Sequence, residues 1–469
     1  MVAYGVGQLG ESLRTVGYTT FLLFYYNQVI GLSGALTSLA LGISLLVDAI
    51  SDPLVGAWSD RTATRLGRRH PFMIAGMLPL GVLFFATFNP PELTPTGYFV
   101  WLLASATLTR LAVSLYHVPH LALGAEIARD YSQRTTLYAI NTVFLFVAIY
   151  GAQALALRVF FPTTEQFNPG LLNGAAYRSF SIVFAVTMVV AIGISIVGTY
   201  GEIRYLPPAV HRFAFSLRRM LADFVEVFRN ASFRALFLGM LLTMLALAAE
   251  SVLKPYMDLH FWGLTTEQMS SRPIAVIVGA LLALPIAATL TQRLDKKAVL
   301  ISAGALALIA IHLTILVKLV SPEWLPPSGS TALLRILLFQ DAVMGLSSVL
   351  TYGAVYSMVA DISDEHQLEV GERREGVLFA SRAFAQQVVQ SIGIAGAGVL
   401  LDLIAFPAGA KAGAVDDLTL TRLGLIPLCA GVVYLAGLCC YSRYRIHRER
   451  HATIVTELER RLQGTSYPA

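Results

Sequence analysis

Two aspartates interrupt an otherwise apolar run early in the chain. Asp48 and Asp52 are four residues apart, and on a helix that spacing places both carboxylates on one face, about 5 to 6 Å from each other. Two like charges that close in a medium of low dielectric constant cannot both stay ionised unless a cation or a proton joins them. Carboxylate oxygens suit a hard cation, and a shared proton would satisfy the pair equally well. The spacing therefore predicts a site for a small cation or a proton.

The depth of the two carboxylates distinguishes this hypothesis from a structural role. Asp52 alone could cap or pin a neighbouring helix at a membrane surface. Asp48 lies one turn deeper and follows the largely apolar stretch 44–47 (SLLV). A carboxylate in the middle of a membrane costs about 2.5 to 3.5 kcal/mol even on the lenient insertion scale. Ion binding therefore explains the pair better than capping does.

Charged and titratable side chains interrupt other apolar runs as well. Glu11 and Arg14 are three residues apart and face together, either as a neutralising pair or as part of a cavity wall. A later run carries four polar side chains, the first three on one face: Arg110, Ser114, His117 and His120. A histidine inside a membrane can be a buried hydrogen-bonding group or a group that titrates near its ordinary pKa of about 6.5. Both interpretations stay open for these histidines.

Composition shows what kind of element positions these residues. Of the 469 residues, 56% are hydrophobic and 13% are charged, and the mean hydropathy is +0.65. A soluble domain has about 25% charged residues, so most of this chain cannot face water. Extended disorder needs the opposite composition. The net charge is +5, but the basic residues are not clustered with exposed aromatic residues, so we expect no nucleic-acid partner. We expect the chain to lie in a lipid bilayer.

Several other classes of site are not expected. The three cysteines lie in one late apolar segment, which predicts neither a disulfide framework nor a thiolate metal site. The first apolar run is long and has no small-residue cleavage site, so no cleavable signal peptide is expected. The motifs of intramembrane hydrolases and metalloenzymes are absent from the sequence. We therefore expect no enzymatic activity and no cofactor.

Twelve apolar runs follow one another, each near the 20 residues that a helix needs to cross a membrane. They lie near 8–30, 36–57, 72–89, 98–125, 137–161, 177–200, 235–257, 272–291, 298–320, 332–359, 377–404 and 419–441. We predict an all-α polytopic membrane protein with twelve transmembrane helices in two pseudo-symmetric six-helix bundles. The predicted domains are 1–200 (first bundle), 201–234 (cytoplasmic loop with an amphipathic helix), 235–442 (second bundle) and 443–469 (basic cytoplasmic tail).

The distribution of basic residues predicts the orientation. Arginines crowd the loop after the second run, at Arg61, Arg65, Arg68 and Arg69, and the opposite loops 27–35 and 89–97 hold no lysine or arginine. Basic loops stay on the cytoplasmic side of a membrane. With an even number of helices both termini are cytoplasmic, and we expect the protein in the inner membrane of the cell.

The segment after the second run carries a specific motif. Residues 52–61 (DPLVGAWSDR) and 65–69 (RLGRR) resemble the cytoplasmic signature loop of the major facilitator superfamily, slightly lengthened between its two parts. Segments 4–10 (YGVGQLG) and 48–53 (DAISDP) resemble the glycoside–pentoside–hexuronide:cation symporters within that superfamily, and a weaker similarity occurs at 360–364 (ADISD). The resemblance runs from the first apolar run to the last.

This resemblance implies a symporter that is driven by an Na⁺ or H⁺ gradient and works by alternating access between the two bundles. By similarity to the family, its cation site consists of Asp48, Ser51, Asp52 and Ser114, with Ser51 where the family more often has asparagine. Charged loop residues that can bridge to neighbouring helix ends are expected to control the cytoplasmic gate: Asp60, Arg61, Arg68 and Arg69.

The expected substrate is a small organic solute, bound by a monomer. Its predicted site residues are Glu11, Arg14, His117, His120, Asn141, Thr142, Glu250, Tyr356, Arg382, Gln386 and Gln387. Asp341 is expected either in this buried set or near the outer membrane surface. A glycoside is the family default, but His117, Thr142 and Gln387 depart from the residues of the sugar-transporting members. Arginines at 14, 110 and 382 would suit an anionic or amphipathic solute, such as a lysolipid, a sterol-like acid or a uronide.

Overall fold

The computed structural model describes residues 2–62, 64–127, 131–205, 228, 230–370, 375–410 and 413–464. At some helical positions, Thr142 and Arg382 among them, the description is limited to the backbone. The amphipathic helix predicted within 201–234 falls mainly outside the described residues.

Helices make up the architecture, and the described residues contain no β-strand, which confirms the predicted all-α class. The helices are α1 (Val2–Val16), α2 (Gly34–Arg61), α3 (His70–Thr87), α4 (Pro95–Ile127), α5 (Tyr131–Val159), α6 (Gly174–Thr199), α7 (Ala231–Tyr256), α8 (Thr266–Arg293), α9 (Lys296–Val320), α10 (Thr331–Val370), α11 (Glu375–Leu403), α12 (Asp417–Ser442) and α13 (Arg448–Gly464). Three π-helical segments extend α1 and α7, namely Gly17–Leu22, Tyr25–Ile30 and Met257–Phe261.

Nine of the described helices are long and apolar enough to cross a membrane: α2, α3, α4, α6, α7, α8, α9, α10 and α12. The regular part of α1 is only 15 residues long, and the continuous part of α5 whose side chains are described, Phe144–Val159, is shorter than a full span. The protein is therefore a multi-pass membrane protein, and the count of twelve spans stays a prediction.

Polar residues begin many of the helices. Ser33, Asn230 and Asp416 each accept a hydrogen bond from a backbone N–H in the first turn of the helix that follows. Thr265 forms a reciprocal capping box with Gln268 at the start of α8. These caps satisfy backbone donors that have no partner inside a helix, which matters most where no water is available.

The helices pack in two groups. In the first half α1 packs against α5 and α6, and α3 packs against α4 and α6. In the second half α8 packs against α10, and α7 packs against α11 and α12. Among the described residues the halves meet mainly where α2 packs on α11 and α5 packs on α8, and the π-helical segment Gly17–Leu22 also contacts α7.

Six small residues lie at the α2–α11 seam: Gly34, Ser38, Gly42, Ser391, Ala395 and Gly398. A β-carbon on Gly398 would lie 2.1 Å from the carbonyl oxygen of Gly34, so the two backbones approach too closely for a larger residue. Ser38 Oγ donates to the carbonyl of Ala395 at 2.9 Å, and Ser391 Oγ donates to the carbonyl of Gly42 at 2.6 Å. Short side chains thus let the two halves touch along their backbones.

Acidic residues fasten the halves on the side opposite the termini. Asp402, at the end of α11, accepts hydrogen bonds from the N–H groups of Gly34 at 2.8 Å and Ala35 at 2.9 Å. Glu267, at the start of α8, accepts from the N–H of Thr163 at 2.6 Å and from its hydroxyl at 2.8 Å. The halves are therefore closed on this side.

Candidate functional site

Asp52 lies where α2 meets α4 and α11. Ser114 Oγ donates to Asp52 Oδ1 at 2.6 Å, and Gln387 Nε2 donates to Asp52 Oδ2 at 2.8 Å. Ser51 Oγ is 2.8 Å from Ser114 Oγ. The structure thus brings together the hydroxyls and the carboxylate predicted for the cation site. Both hydrogen-bond donors are uncharged, so they orient the carboxylate without neutralising it.

Asp48 lies one turn deeper on α2 and is bound by an arginine. Arg110 Nη1 donates to Asp48 Oδ2 at 2.5 Å, and Arg110 Nε donates to Ser44 Oγ at 3.0 Å. The side chains of Asp48 and Arg110 are only 10% and 5% exposed. The other oxygen, Asp48 Oδ1, is buried and has no hydrogen-bond partner in the described part of the chain. Because Ser44 and Asp48 are one turn apart, both face α4 and meet the same guanidinium.

The Asp48–Arg110 ion pair changes the charge balance of the site from the one that the sequence predicted. We expected Asp48 to share a cation or proton with Asp52, and Arg110 to suit an anionic solute. Arg110 instead neutralises Asp48, because α4 presents it one turn from Ser114 and opposite α2. Asp48, Arg110 and Asp52 together carry one net negative charge, so a single positive charge is enough to balance them.

Glu11 and Arg14 face the same interior region from α1. Arg14 Nη2 donates to Glu11 Oε1 at 2.9 Å, and Thr15 Oγ1 donates to the same oxygen at 2.6 Å. His117 is half-buried and lies within electrostatic range of both Glu11 and Asp52. Arg14 Nε and His117 Nδ1 are buried without a hydrogen-bond partner among the described residues. Gln8 Oε1 and Ser12 Oγ of α1 are likewise buried without a partner among the described residues.

Two other predicted residues lie deeper in the first half. His120 is stacked on Tyr4 with ring centroids 4.2 Å apart, and its Nε2 is 3.0 Å from the Tyr4 carbonyl oxygen. It packs within the helix bundle. Asn141 on α5 is buried, and its Oδ1 has no partner among the residues that the structure describes.

The second half contributes fewer of the predicted contacts. Glu250 on α7 is 3.2 Å from His312 Nε2 on α9, a partner that the sequence did not indicate. Gln386 is half-buried, and Tyr356 is 47% exposed on α10. The side chains of Thr142 and Arg382 lie outside the described part of the structure.

The second half also contains a charged cluster that the sequence did not predict. Arg272 on α8 bonds to Asp258 and Asp341, and Lys254 lies beside both carboxylates. Asp341 is 2% exposed, so it belongs to the buried set and not to the outer surface. A spacing of four between Lys254 and Asp258 was the available signal, but the predicted helix ended at residue 257 and left Asp258 in a loop.

The predicted gate residues meet on the side of the termini. Arg69, just before α3, contacts Ser59 Oγ at 2.6 Å, Asp60 Oδ1 at 2.5 Å and Glu126 Oε1 at 2.8 Å. Arg68 Nη2 is 2.9 Å from the same glutamate oxygen. Glu126 ends α4, so these contacts tie the ends of α2, α3 and α4 together within the first half. Arg61 is exposed.

Replacing Arg69 with glutamine should slow transport more than it weakens solute binding. The change removes charged hydrogen bonds to Asp60 and Glu126, each worth about 1.5 to 3 kcal/mol, in a contact that is distant from the candidate site. We expect a rate reduced about tenfold, measured by solute exchange in vesicles, and an unchanged dissociation constant. Arg65→Gln, at an exposed arginine of the same loop, is the control. A large loss of binding with normal rates would place Arg69 at the solute.

The chain is similar to one protein family over nearly its whole length and to individual relatives over about a third of it. A family described as MFS/sugar transport protein matches residues 3–448. A putative glycoside/cation symporter of Escherichia coli is 28% identical over 155 residues, which is 33% of each chain. A sodium-dependent lysophosphatidylcholine symporter of Gallus gallus is 31% identical over a segment that covers 29% of this chain and 26% of the relative. The chain therefore aligns with about a third or less of these relatives' lengths. A solved bacterial homologue of the drug and peptide transporters shares the fold, with a TM-score of 0.65, 13% identity and 98% of each chain covered.

Proposed function

The chain belongs to the MFS/sugar transport protein family, and from that membership we propose that it is a cation-coupled symporter of a small organic solute, working by alternating access. One observation carries the proposal. Asp52 in the first half accepts a hydrogen bond from Gln387 in the second half at 2.8 Å. A charge change at Asp52 therefore acts directly on a contact between the halves.

Asp52 is the group that takes the coupling ion. A hard cation would find oxygen ligands in Asp52, in the unpartnered Asp48 Oδ1 and in the hydroxyls of Ser51 and Ser114. A proton would need Asp52 alone. Either ion removes the negative charge to which Gln387 donates. A hydrogen bond to a charged group contributes about 1.5 to 3 kcal/mol and one between neutral groups about 0.5 to 1.5 kcal/mol, so ion binding loosens this tie.

The default solute is a glycoside. The support comes from the family description and from the glycoside named for the Escherichia coli relative. The hydrogen-bonding groups available for sugar hydroxyls are His117 Nδ1, Asn141 Oδ1 and the half-buried Gln386.

An anionic or amphipathic solute is the second candidate. It is supported by Arg14, whose Nε is buried and has no partner in the described residues, and by the lysophosphatidylcholine named for the Gallus gallus relative. Arg110 no longer supports this candidate, since Asp48 already binds it.

The side that carries the termini is the cytoplasmic side in this proposal, and the protein lies as a monomer in the inner cell membrane. The support is the basic loop at Arg61–Arg69, whose arginines lie on the same side as both termini. The bundles 1–200 and 235–442 are the units that rock against each other around the site.

Uptake into sealed vesicles with separate Na⁺ and proton gradients tests the proposed function. The panel contains neutral glycosides, uronides and lysolipids. We expect one gradient to drive accumulation of at least one solute above its external concentration, and an ionophore that dissipates that gradient to abolish the accumulation. Equal uptake with and without both gradients, across the whole panel, would show that the protein is not a cation symporter.

A further inference from the structure

Four charged residues of the second half form one cluster, here called the Arg272 cluster: Lys254, Asp258, Arg272 and Asp341. Arg272 binds Asp341 through two hydrogen bonds, from Nε at 2.5 Å and from Nη2 at 3.1 Å, and it binds Asp258 through Nη1. These three side chains are between 2% and 4% exposed. Arg272 uses three of its five N–H donors on the two carboxylates and is nearly fully buried, so it is much less accessible to a further ligand than Lys254 is.

Lys254 is bound more loosely than the other three. Its Nζ is 3.4 Å from Asp341 and 4.0 Å from Asp258, and its side chain is 34% exposed. Asp258, Arg272 and Asp341 together carry one net negative charge, which the ammonium of Lys254 balances. An ammonium has three donors, and the two carboxylates use at most two of them. Within the described part of the chain, at least one N–H of Lys254 therefore has no partner, and the partly exposed side chain can present it to a ligand.

The Arg272 cluster lies close to the first half of the protein. Tyr150 on α5, in the first half, lies within electrostatic range of Asp341, so the cluster is oriented towards that half. Glu250, one of the predicted solute residues, is one helical turn before Lys254 on α7. The helix is also irregular here, because Pro255 lies inside α7 and the π-helical segment Met257–Phe261 follows it. Such π segments frequently occur at functional sites.

We propose that Lys254 binds an anionic group, a carboxylate or a phosphate, of the transported solute. The inference rests on the proposed symport function and assigns its substrate to the anionic class. The carboxylates of Asp258 and Asp341 keep the ammonium charged and in place, while Arg272 prevents the two carboxylates from repelling each other. A compact ammonium with a free donor suits a terminal carboxylate or phosphate.

Matched pairs of probes test the proposal. The first pair is 4-nitrophenyl β-glucoside and 4-nitrophenyl β-glucuronide, and the second is monooleoylglycerol and oleoyl lysophosphatidate. Within each pair the two probes share one scaffold and differ in charge. Dissociation constants are measured for the wild type, Lys254→Gln and Lys254→Arg, all purified in lipid nanodiscs.

In at least one pair the anionic probe should bind the wild type about tenfold or more tightly than its neutral partner. Lys254→Gln should weaken binding of that anionic probe about ten- to hundredfold, the range of one hydrogen bond to a charged group, and leave the neutral probe within twofold. Lys254→Arg should retain most of the affinity. The proposal is overturned if neither anionic probe binds better than its partner, or if Lys254→Gln weakens both probes alike, as expected for a purely structural ion pair.

Lys318→Gln is the matched control. Lys318 on α9 also lies in the second half, but its ammonium donates to the carbonyl of Phe261 and to Ser328 Oγ at 2.9 Å. The substitution removes the same charge and should leave the preference for the anionic probe intact. Loss of that preference in Lys318→Gln would show that net charge, and not Lys254, selects the probe.

Gradient-driven uptake separates this inference from the proposed function. If the wild type and Lys254→Gln both accumulate a neutral solute, symport stands and the anionic class is wrong. If the wild type accumulates no solute under either gradient, the proposed function fails even where Lys254 binds an anion.

Discussion

Replacing Asp52 with asparagine should abolish accumulation of solute against its gradient while solute exchange across the membrane continues. Asparagine keeps the size of the side chain: its amide oxygen can accept from Gln387 Nε2, and its amide nitrogen can donate to Ser114 Oγ, at the two positions where the carboxylate oxygens now accept at 2.8 and 2.6 Å. It cannot take up a proton, and it offers a cation no negative charge. The coupling ion therefore loses its site, and the contact between the halves survives.

The measurement compares two assays in the same vesicles. Uptake under an imposed gradient should fall to the level of equilibration, and exchange of labelled for unlabelled solute should stay within about threefold of the wild type. Asp416→Asn is the control, because Asp416 is an exposed cap of α12 and asparagine caps helices equally well. Full accumulation by Asp52→Asn would remove Asp52 from the ion site.

Arg110→Leu should destabilise the folded protein strongly. The change leaves Asp48, whose side chain is 10% exposed, as a buried carboxylate without its partner. Breaking a buried pair from one side costs about 3 to 5 kcal/mol, because the remaining charge is uncompensated. Asp48→Leu should be equally harmful, since it leaves the guanidinium alone.

The double variant Asp48→Leu/Arg110→Leu distinguishes this explanation from a simple packing defect. Removing both charges should restore most of the stability, so the two single effects should not add. Thermal unfolding in detergent, followed by the fraction of monodisperse protein, measures all four proteins. A double variant whose loss equals the sum of the single losses would show that the ion pair is not the cause.

The sequence was sufficient for features that depend on local pattern. Apolar runs of the right length predicted a helical membrane protein, and a spacing of four placed Asp48 and Asp52 on one helix face. The partner of Asp48 was not predictable, because Arg110 reaches it only through the packing of α4 on α2. The contact of Gln387 with Asp52 also depends on helix packing, here that of α11 on α2. The sequence alone therefore predicted Gln387 at the solute and not at Asp52.

The Arg272 cluster could not be predicted because the sequence does not show where the helices that carry it end. The helix that the sequence predicted to end at 257 continues as a π-helical segment to Phe261, which brings Asp258 into the protein interior. Charged residues near an apolar run are expected at a membrane surface, so the sequence alone allows Asp341 either a buried position or one near the outer surface, and its contact with Arg272 places it among the buried residues. Hydropathy does not report ion pairs between helices that are distant in sequence.

The small residues of the α2–α11 seam limit the free energy with which this seam holds the two halves together. Glycine and alanine bury little surface there, and a hydrogen bond between membrane helices contributes about 0.6 kcal/mol and at most about 1.7 kcal/mol. The two serine bonds, from Ser38 and Ser391, therefore hold the seam by about 1 to 3 kcal/mol. Moving one elementary charge through 100 mV releases about 2.3 kcal/mol. The energy of a single ion is thus comparable to the two serine bonds together, and the bonds of Asp402 and Gln387 add to what holds α2 and α11 in contact.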